Sequence, residues 1–140
     1  MKHHVLVSPS GREEFGWVSP RKTKSFEIEE GPVFLLEGDL RFGRRHIEVR
    51  HGNSIAGFGF SGPEFVQEYV ASILQPNTPV YSEGLASWER SRLFAVRSAV
   101  GMAVLEKRSI KGYPTAYSVI TAYKRPNMGY VQVTKIVDNL

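Results

Sequence analysis

Apolar residues in the middle of the chain recur with the period of a helix. In "SGPEFVQEYVASILQP" two series of apolar positions run every four residues, one from Phe65 and one from Val66. This pattern predicts an amphipathic helix that packs one face on a flat surface. Ser61 and Glu64 have the spacing of a capping box, and Pro76 ends the segment.

Two shorter elements precede this helix. The run "GPVFLLEGD" has continuous apolar residues between turn signals, which predicts a buried strand over Val33 to Leu36. The segment from Gly43 to His51 is long enough for a little over two helical turns. Gly52 and Asn53 then have the character of a C-terminal stop.

The period changes in the second half of the chain. Short β-rich runs follow one another, separated by glycine- and proline-containing segments, and they read "TPVYSEG", "RLFAVRS", "GMAVLEKRSI", "AYSVITAYKRP" and "GYVQVTKIV". The stretch "RLFAVRSAVGMAVLEKR" is compatible with two strands or with one bent strand. Helices followed by consecutive strands predict an α+β fold, with N-terminal helices packed on an antiparallel sheet of four to five strands.

Length and composition limit the possibilities. The 140 residues suit one domain, 1–140, in which residues 1–30 form a lead-in segment without an assigned role. The chain has no cysteine, which excludes disulfides and thiolate zinc sites. No apolar run approaches the ~20 residues of a membrane-spanning helix. The net charge of +4 suits a polyanionic partner.

The stretch "RFGRRHIEVRHG" concentrates positive and titratable side chains. It contains four arginines and two histidines, but one acid, Glu48. Histidines that share a metal on a helix usually stand four apart, whereas His46 and His51 stand five apart and point ~140° away from each other. No third ligand has a recognisable spacing, so we predict neither a metal site nor a cofactor.

The same stretch also suits phosphate chemistry. Arg50 follows His46 by four residues, so both lie on one helical face. A guanidinium binds phosphate oxygens in a bidentate manner, and an imidazole transfers protons near neutral pH. A solvated basic helix, with Ile47 towards the core, accounts for the same residues.

A pair of hydroxyl side chains stands on the predicted strand "YSVITAYK". Strict alternation would place Tyr117, Val119, Thr121 and Tyr123 on one face. Such residues are common strand formers. If they face a basic helix, they also supply a phosphate with hydrogen-bond donors and a base with a stacking surface.

The order "GRRHIEVRHG", amphipathic helix and "YSVITAYK" resembles the barnase–EndoU–colicin–RelE superfamily of metal-independent ribonucleases. It is most similar to the phage-associated and contact-dependent-inhibition toxin branches, in which an "HI..RH" helix faces a "viTaY" strand. The resemblance covers about Gly31 to Lys124 and implies that residues 31–140 form a ribonuclease-like core. The family positions fall on the following residues: His46, Arg50, His51, Thr121 and Tyr123.

The resemblance implies an endoribonuclease in which the RNA 2′-OH attacks its own phosphate and leaves a 2′,3′-cyclic phosphate. His46 is assigned as base and His51 as acid, with Glu48 as an alternative base. Arg50 and Thr121 stabilise the transition-state charge, and Tyr123 positions the substrate. The expected RNA-binding residues are these: Arg44, Arg45, Lys107, Arg108 and Lys124.

The resemblance also implies partners and a place of action. The partners are RNA, with tRNA among the candidates, and an acidic immunity protein. The place of action is the cytoplasm of a target or host bacterium, reached by secretion or as part of a larger toxin. Two rival functions stay open. One is a non-catalytic nucleic-acid-binding or phage accessory domain with the same fold, which would use the same basic residues, and the other is a protein-binding module.

Overall fold

Strands make up most of the regular structure in the computed structural model, which describes residues 4–24, 27–82, 93–110, 112–124 and 131–138. The helices are α1 (Gly43–Ala56) and α2 (Phe65–Ile73). The strands are β1 (Gly16–Val18), β2 (Arg21–Lys22), β3 (Glu27–Ile28), β4 (Gly31–Phe34), β5 (Pro79–Ser82), β6 (Leu93–Arg97), β7 (Met102–Ile110), β8 (Tyr113–Tyr123) and β9 (Val131–Val137). Neither helix in this part of the chain is long and apolar enough to cross a membrane.

Seven strands close into a barrel in the order β1-β4-β8-β7-β6-β5-β9. The ring closes where β1 pairs with β9, with Trp17 opposite Val137 and Val18 opposite Ile136. The described strand pairs of the ring are antiparallel except for β4 and β8, which run parallel. The short strands β2 and β3 pair separately as a hairpin.

The predicted α+β arrangement, with helices packed on an open sheet of four to five antiparallel strands, is wrong. The sheet has seven strands and is closed, and the two helices are inserted between β4 and β5. The missed strand β1 has three residues, too few to show an alternating pattern. Closure depends on the pairing of β1 with β9, two strands that are far apart in the sequence. Such a long-range pairing leaves no local pattern of residue types.

Both helices differ from their predicted limits. α1 continues through Gly52 to Ala56 instead of stopping at Gly52, and Ile47 and Ile55 on it are fully buried. α2 begins at Phe65 with Glu64 as its N-cap, and among the described residues no side chain caps it, so the predicted capping box is wrong. The buried face of α2 is as predicted, because apolar residues recur along one stripe.

The stretch "RLFAVRSAVGMAVLEKR", whose sequence is compatible with one bent strand or with two strands, contains two strands. β6 and β7 are antiparallel and are joined by a tight turn, in which the backbone amide of Ser98 donates to the carbonyl of Gly101 over 2.9 Å. Strand β5 and the last strand β9 also form where predicted. Two of the segments expected to separate the strands, "EGLASWE" at 83–89 and "RPNMG" at 125–129, lie outside the described residues.

A register shift interrupts the pairing of β7 with β8. Val104 stands opposite Thr121, and Leu105 stands opposite Val119, so Ile120 is an extra residue on β8. Cross-strand partners project from the same face of a sheet. Thr121 therefore projects from the face opposite to Val119, which corrects the strict alternation expected from sequence.

Substitutions at two glycines of α1 test its observed limits. Gly52 lies in the helix interior, where an added β-carbon meets Phe65 at 3.5 Å, an ordinary contact. We expect Gly52→Ala to raise the free energy of unfolding by about 0.5–1 kcal/mol, because alanine favours a helix over glycine. Chemical denaturation measures the change.

Gly43→Ala is the matched opposite case. Gly43 has φ +85°, and a β-carbon there would stand 2.8 Å from the carbonyl oxygen of Leu36. We expect this variant to be destabilised. A helix that ended at Gly52 would need a left-handed residue there, so a loss of stability in Gly52→Ala would contradict the longer helix.

Candidate active site

Helix α1 packs along strand β8 and brings two residues of the predicted site into hydrogen-bonding contact. The ring atom Nε2 of His46 lies 3.2 Å from the hydroxyl oxygen of Thr121. The two residues are separated by 75 positions in sequence. The helix is held in place by Ile47 and Ile55, whose side chains are fully buried against the barrel core.

The second ring nitrogen of His46 fixes its tautomer. Nδ1 lies 2.9 Å from the backbone carbonyl oxygen of Leu40. A carbonyl oxygen accepts but never donates, so Nδ1 carries a hydrogen and donates it. In the neutral ring Nε2 is then the acceptor and the Thr121 hydroxyl is the donor. Sequence reasoning missed Leu40, because a backbone carbonyl has no signature in the sequence.

A tight turn presents this carbonyl to the ring. The backbone amide of Asp39 donates to the carbonyl of Phe42 over 3.0 Å, and the carboxylate of Asp39 accepts from the amide of Arg41 over 2.8 Å. Gly38 has φ +71°, and a β-carbon there would collide with the carbonyl of Phe42. The turn thus needs glycine at position 38, and the hydrogen bond from the amide of Arg41 to the carboxylate of Asp39 stabilises it.

His51 lies against a second predicted residue of β8. Its ring stacks on Tyr123 with centroids 5.0 Å apart and planes inclined by 24°. Its ring meets that of His46 edge to face, with centroids 6.0 Å apart. The register shift in β8 makes this cluster possible, because Thr121 and Tyr123 both project towards α1. His46, His51, Thr121 and Tyr123 are hereafter called the histidine cluster.

The environment of His51 disfavours its charged form. Partial burial lowers the pKa of His51 below its ordinary value of 6.5, and the nearby charges of His46 and Arg50 lower it further. Arg50 itself is exposed on α1 and stands next to His51 in sequence. A charge on His46 therefore opposes a charge on His51.

Three of the predicted RNA-binding cations are engaged with carboxylates. Arg44 contacts both oxygens of Glu37 at 2.6 Å and also contacts Glu48. The hydrogen bond with Glu37 raises the pKa of Arg44 and lowers that of Glu37. Glu48, the alternative base, is held in this ion pair. Lys107 forms an ion pair with one carboxylate oxygen of Glu29.

Arg108 is the third of these engaged cations. It lies 3.7 Å from a carboxylate oxygen of Glu106, and its guanidinium stands 5.5 Å from the ring centroid of Phe42. The two remaining predicted cations are exposed. Arg45 lies on the outer side of α1, and Lys124 follows the end of β8.

No metal centre is visible in the described ranges. No group of three histidine, cysteine, aspartate or glutamate residues stands close enough there to hold an ion. The proton-transfer chemistry that the geometry offers is that of two neighbouring imidazoles, one of which is aligned by hydrogen bonds at both ring nitrogens.

We predict that Asp39 sets the tautomer of His46 through the turn. In Asp39→Ala the amide of Arg41 loses its acceptor, so the carbonyl of Leu40 should no longer hold the ring and both tautomers should become populated. Asp39→Asn keeps an acceptor oxygen and is the matched control. Nitrogen-15 NMR of the imidazole measures the tautomer, and an Asp39→Ala spectrum identical to that of the wild type would contradict this role.

Comparison with known proteins found no similarity: no family model matches this chain, and neither a curated protein nor a solved structure matches it. The resemblance to the ribonuclease superfamily therefore stays a prediction from the quoted motifs.

Proposed function

We propose that this protein is a metal-independent endoribonuclease whose active site is the histidine cluster. The observation that carries the proposal is the pair of imidazoles with ring centroids 6.0 Å apart, one of which has a lowered pKa. RNA transesterification needs one group to accept a proton and one to donate it. Two neighbouring imidazoles supply both when one ring is neutral and the other is protonated at the start of the reaction.

The reaction begins at the 2′-OH of a ribose. His51 in its neutral form takes the proton, and the oxygen attacks the adjacent phosphorus. The bond to the 5′-oxygen of the next nucleotide breaks, and that oxygen receives a proton from His46. The products are a 2′,3′-cyclic phosphate and a free 5′-OH. Each histidine ends the step in the protonation state that the other had at the start.

This assignment of base and acid reverses the one made from sequence. The lowered pKa of His51 keeps its ring neutral and suited to accept a proton. His46 donates from Nδ1 to the Leu40 carbonyl in both of its protonation states, so its ring stays aligned as its charge changes. When His46 is protonated, its Nε2 also carries a hydrogen and is the acid.

The other members of the site act around these two rings. Arg50 supplies positive charge on the same helix for the phosphoryl oxygens, whose charge grows in the transition state. The hydroxyl of Thr121 supplies a hydrogen bond beside Nε2 of His46. Tyr123 holds the ring of His51 by stacking and is therefore a positioning residue.

The partners proposed for this ribonuclease are RNA and an immunity protein. RNA is the substrate, and tRNA is one candidate. An acidic immunity protein that covers the site would complement the net charge of +4 and would associate fast and with strong dependence on salt. Delivery into the cytoplasm of a bacterium as a toxin rests on the motifs alone. Growth arrest on expression of the wild type, relieved in His46→Ala, would support it.

We expect His46→Ala and His51→Ala each to reduce single-turnover RNA cleavage by about 10²–10⁴-fold with little change in RNA affinity. Proton transfer depends on one or two groups, whereas affinity is summed over many phosphate contacts. Cleavage should proceed in EDTA and leave cyclic phosphate ends. His4→Ala, outside the cluster, is the control.

The same assay separates the rival functions. Near wild-type cleavage in both cluster variants would overturn this site. RNA binding without any cleavage by the wild type would favour a non-catalytic binding domain, and absence of RNA binding would favour a protein-binding module. A melting curve for each variant shows whether the fold is kept.

The pH dependence of the rate tests which histidine is the base. A base must be neutral, so the rate should fall with acidification only below the ordinary imidazole value of 6.5, since the pKa of His51 is lowered. Arg50→Ala removes one cause of the lowering and should move this acidic limb to higher pH. Lys135→Ala removes a positive charge from β9 and should leave the limb in place. An acidic limb unmoved in Arg50→Ala would contradict the assignment.

A further inference from the structure

An exposed aromatic ring lies just beyond α1, the helix that carries His46 and His51. Phe58 follows α1, and 40% of its surface is accessible. Its backbone amide donates to the carbonyl of Ile55 over 3.0 Å, and Gly57 is right-handed helical, so the chain continues the helical turn. Phe58 is seven residues after His51, which places it on the same side of the helix about 10 Å further along its axis.

One face of the Phe58 ring packs against a buried tyrosine. The ring stacks on Tyr69 with centroids 6.2 Å apart and planes inclined by 28°. Tyr69 is fully buried, and its hydroxyl donates to the carbonyl of Val100 over 3.3 Å. Phe60 packs against the same tyrosine edge to face, with centroids 5.4 Å apart. Because its support is part of the core, the Phe58 ring is already ordered before any ligand arrives.

A lysine lies over this ring. The Nζ atom of Lys124 stands 5.3 Å from the ring centroid of Phe58. Lys124 directly follows Tyr123, which stacks on His51. An aromatic surface and an exposed cation therefore stand together at one end of the histidine cluster. This combination is suited to a nucleotide, because the ring stacks a base and the ammonium group binds a phosphate.

We propose that Phe58 and Lys124 form a nucleotide subsite beside the cleaved bond, in which Phe58 stacks one unpaired base and Lys124 contacts a neighbouring phosphate. The inference deepens the proposed ribonuclease function and rests on it. Bases in a duplex are stacked on one another and cannot stack on a side chain, so the subsite selects single-stranded RNA. When a base occupies the ring, Lys124 moves to the strand's backbone, which its flexible stem permits.

The subsite is tested by binding of a short 2′-O-methyl oligouridylate, which cannot be cleaved by 2′-OH attack. We expect Phe58→Ala to weaken binding by about 5- to 150-fold, the fold-change that corresponds to the loss of one base–aromatic stack. Phe58→Trp should bind at least as tightly as the wild type. Lys124→Ala should reduce the slope of log affinity against log salt by about one phosphate contact.

Phe60→Ala is the matched control, because it also removes a ring from Tyr69, and no lysine of the described residues stands over Phe60. It should keep wild-type affinity for the oligonucleotide. An equal loss of affinity in Phe58→Ala and Phe60→Ala would assign Phe58 to packing alone and overturn the subsite. So would a wild type that does not bind the oligonucleotide, or a Phe58→Ala variant with unchanged affinity.

The failure of the subsite and that of the proposed chemistry are distinguishable. Binding of the uncleavable oligonucleotide does not involve proton transfer, so His46→Ala should bind it as the wild type does. If Phe58→Ala loses binding while both histidine variants still cleave RNA, the subsite stands and the catalytic assignment falls. If the histidine variants lose cleavage while Phe58→Ala binds normally, the catalytic assignment stands and the subsite falls.

Discussion

One extra residue in strand β8 determines where the histidine cluster lies. Ile120 has no partner position on β7, and beyond it the faces of β8 exchange. Val119 and Ala122 are fully buried in the core, whereas Thr121 and Tyr123 turn towards α1. A regular strand would place Thr121 on the same face as Val119. The bulge therefore converts two ordinary strand formers into partners of His46 and His51.

The arginines near the site divide into two groups with different physical roles. Arg44 joins Glu37, ahead of the helix, to Glu48 on the helix, and so fastens the start of α1 to the chain that leads into it. Arg50 stays exposed and acts on His51 through its charge. The dense positive charge that stands out in the sequence is thus partly structural, and only part of it is available to a phosphate.

Local patterns in the sequence predict α2 and the later strands and indicate candidate chemistry, but they predict neither β1 nor the arrangement of the sheet. α2 was found because its buried face repeats every three to four residues, and the spacing of His46 and Arg50 indicated phosphate chemistry. Closure of the barrel was missed because it depends on the pairing of β1 with β9. The bulge at Ile120 and the carbonyl of Leu40 were missed because neither alters the pattern of residue types.

The parallel pairing of β4 with β8 brings the two parts of the histidine cluster together from distant parts of the sequence. β4 leads into the turn that orients His46, and its neighbour β8 carries Thr121 and Tyr123. The contact between His46 and Thr121 joins residues 75 positions apart, so no local segment can form it alone. A chain still under synthesis holds α1 without its partner strand until β8 has emerged. The cluster is therefore absent from any chain that stops before the end of β8, because its contacts join residues that are far apart in the sequence.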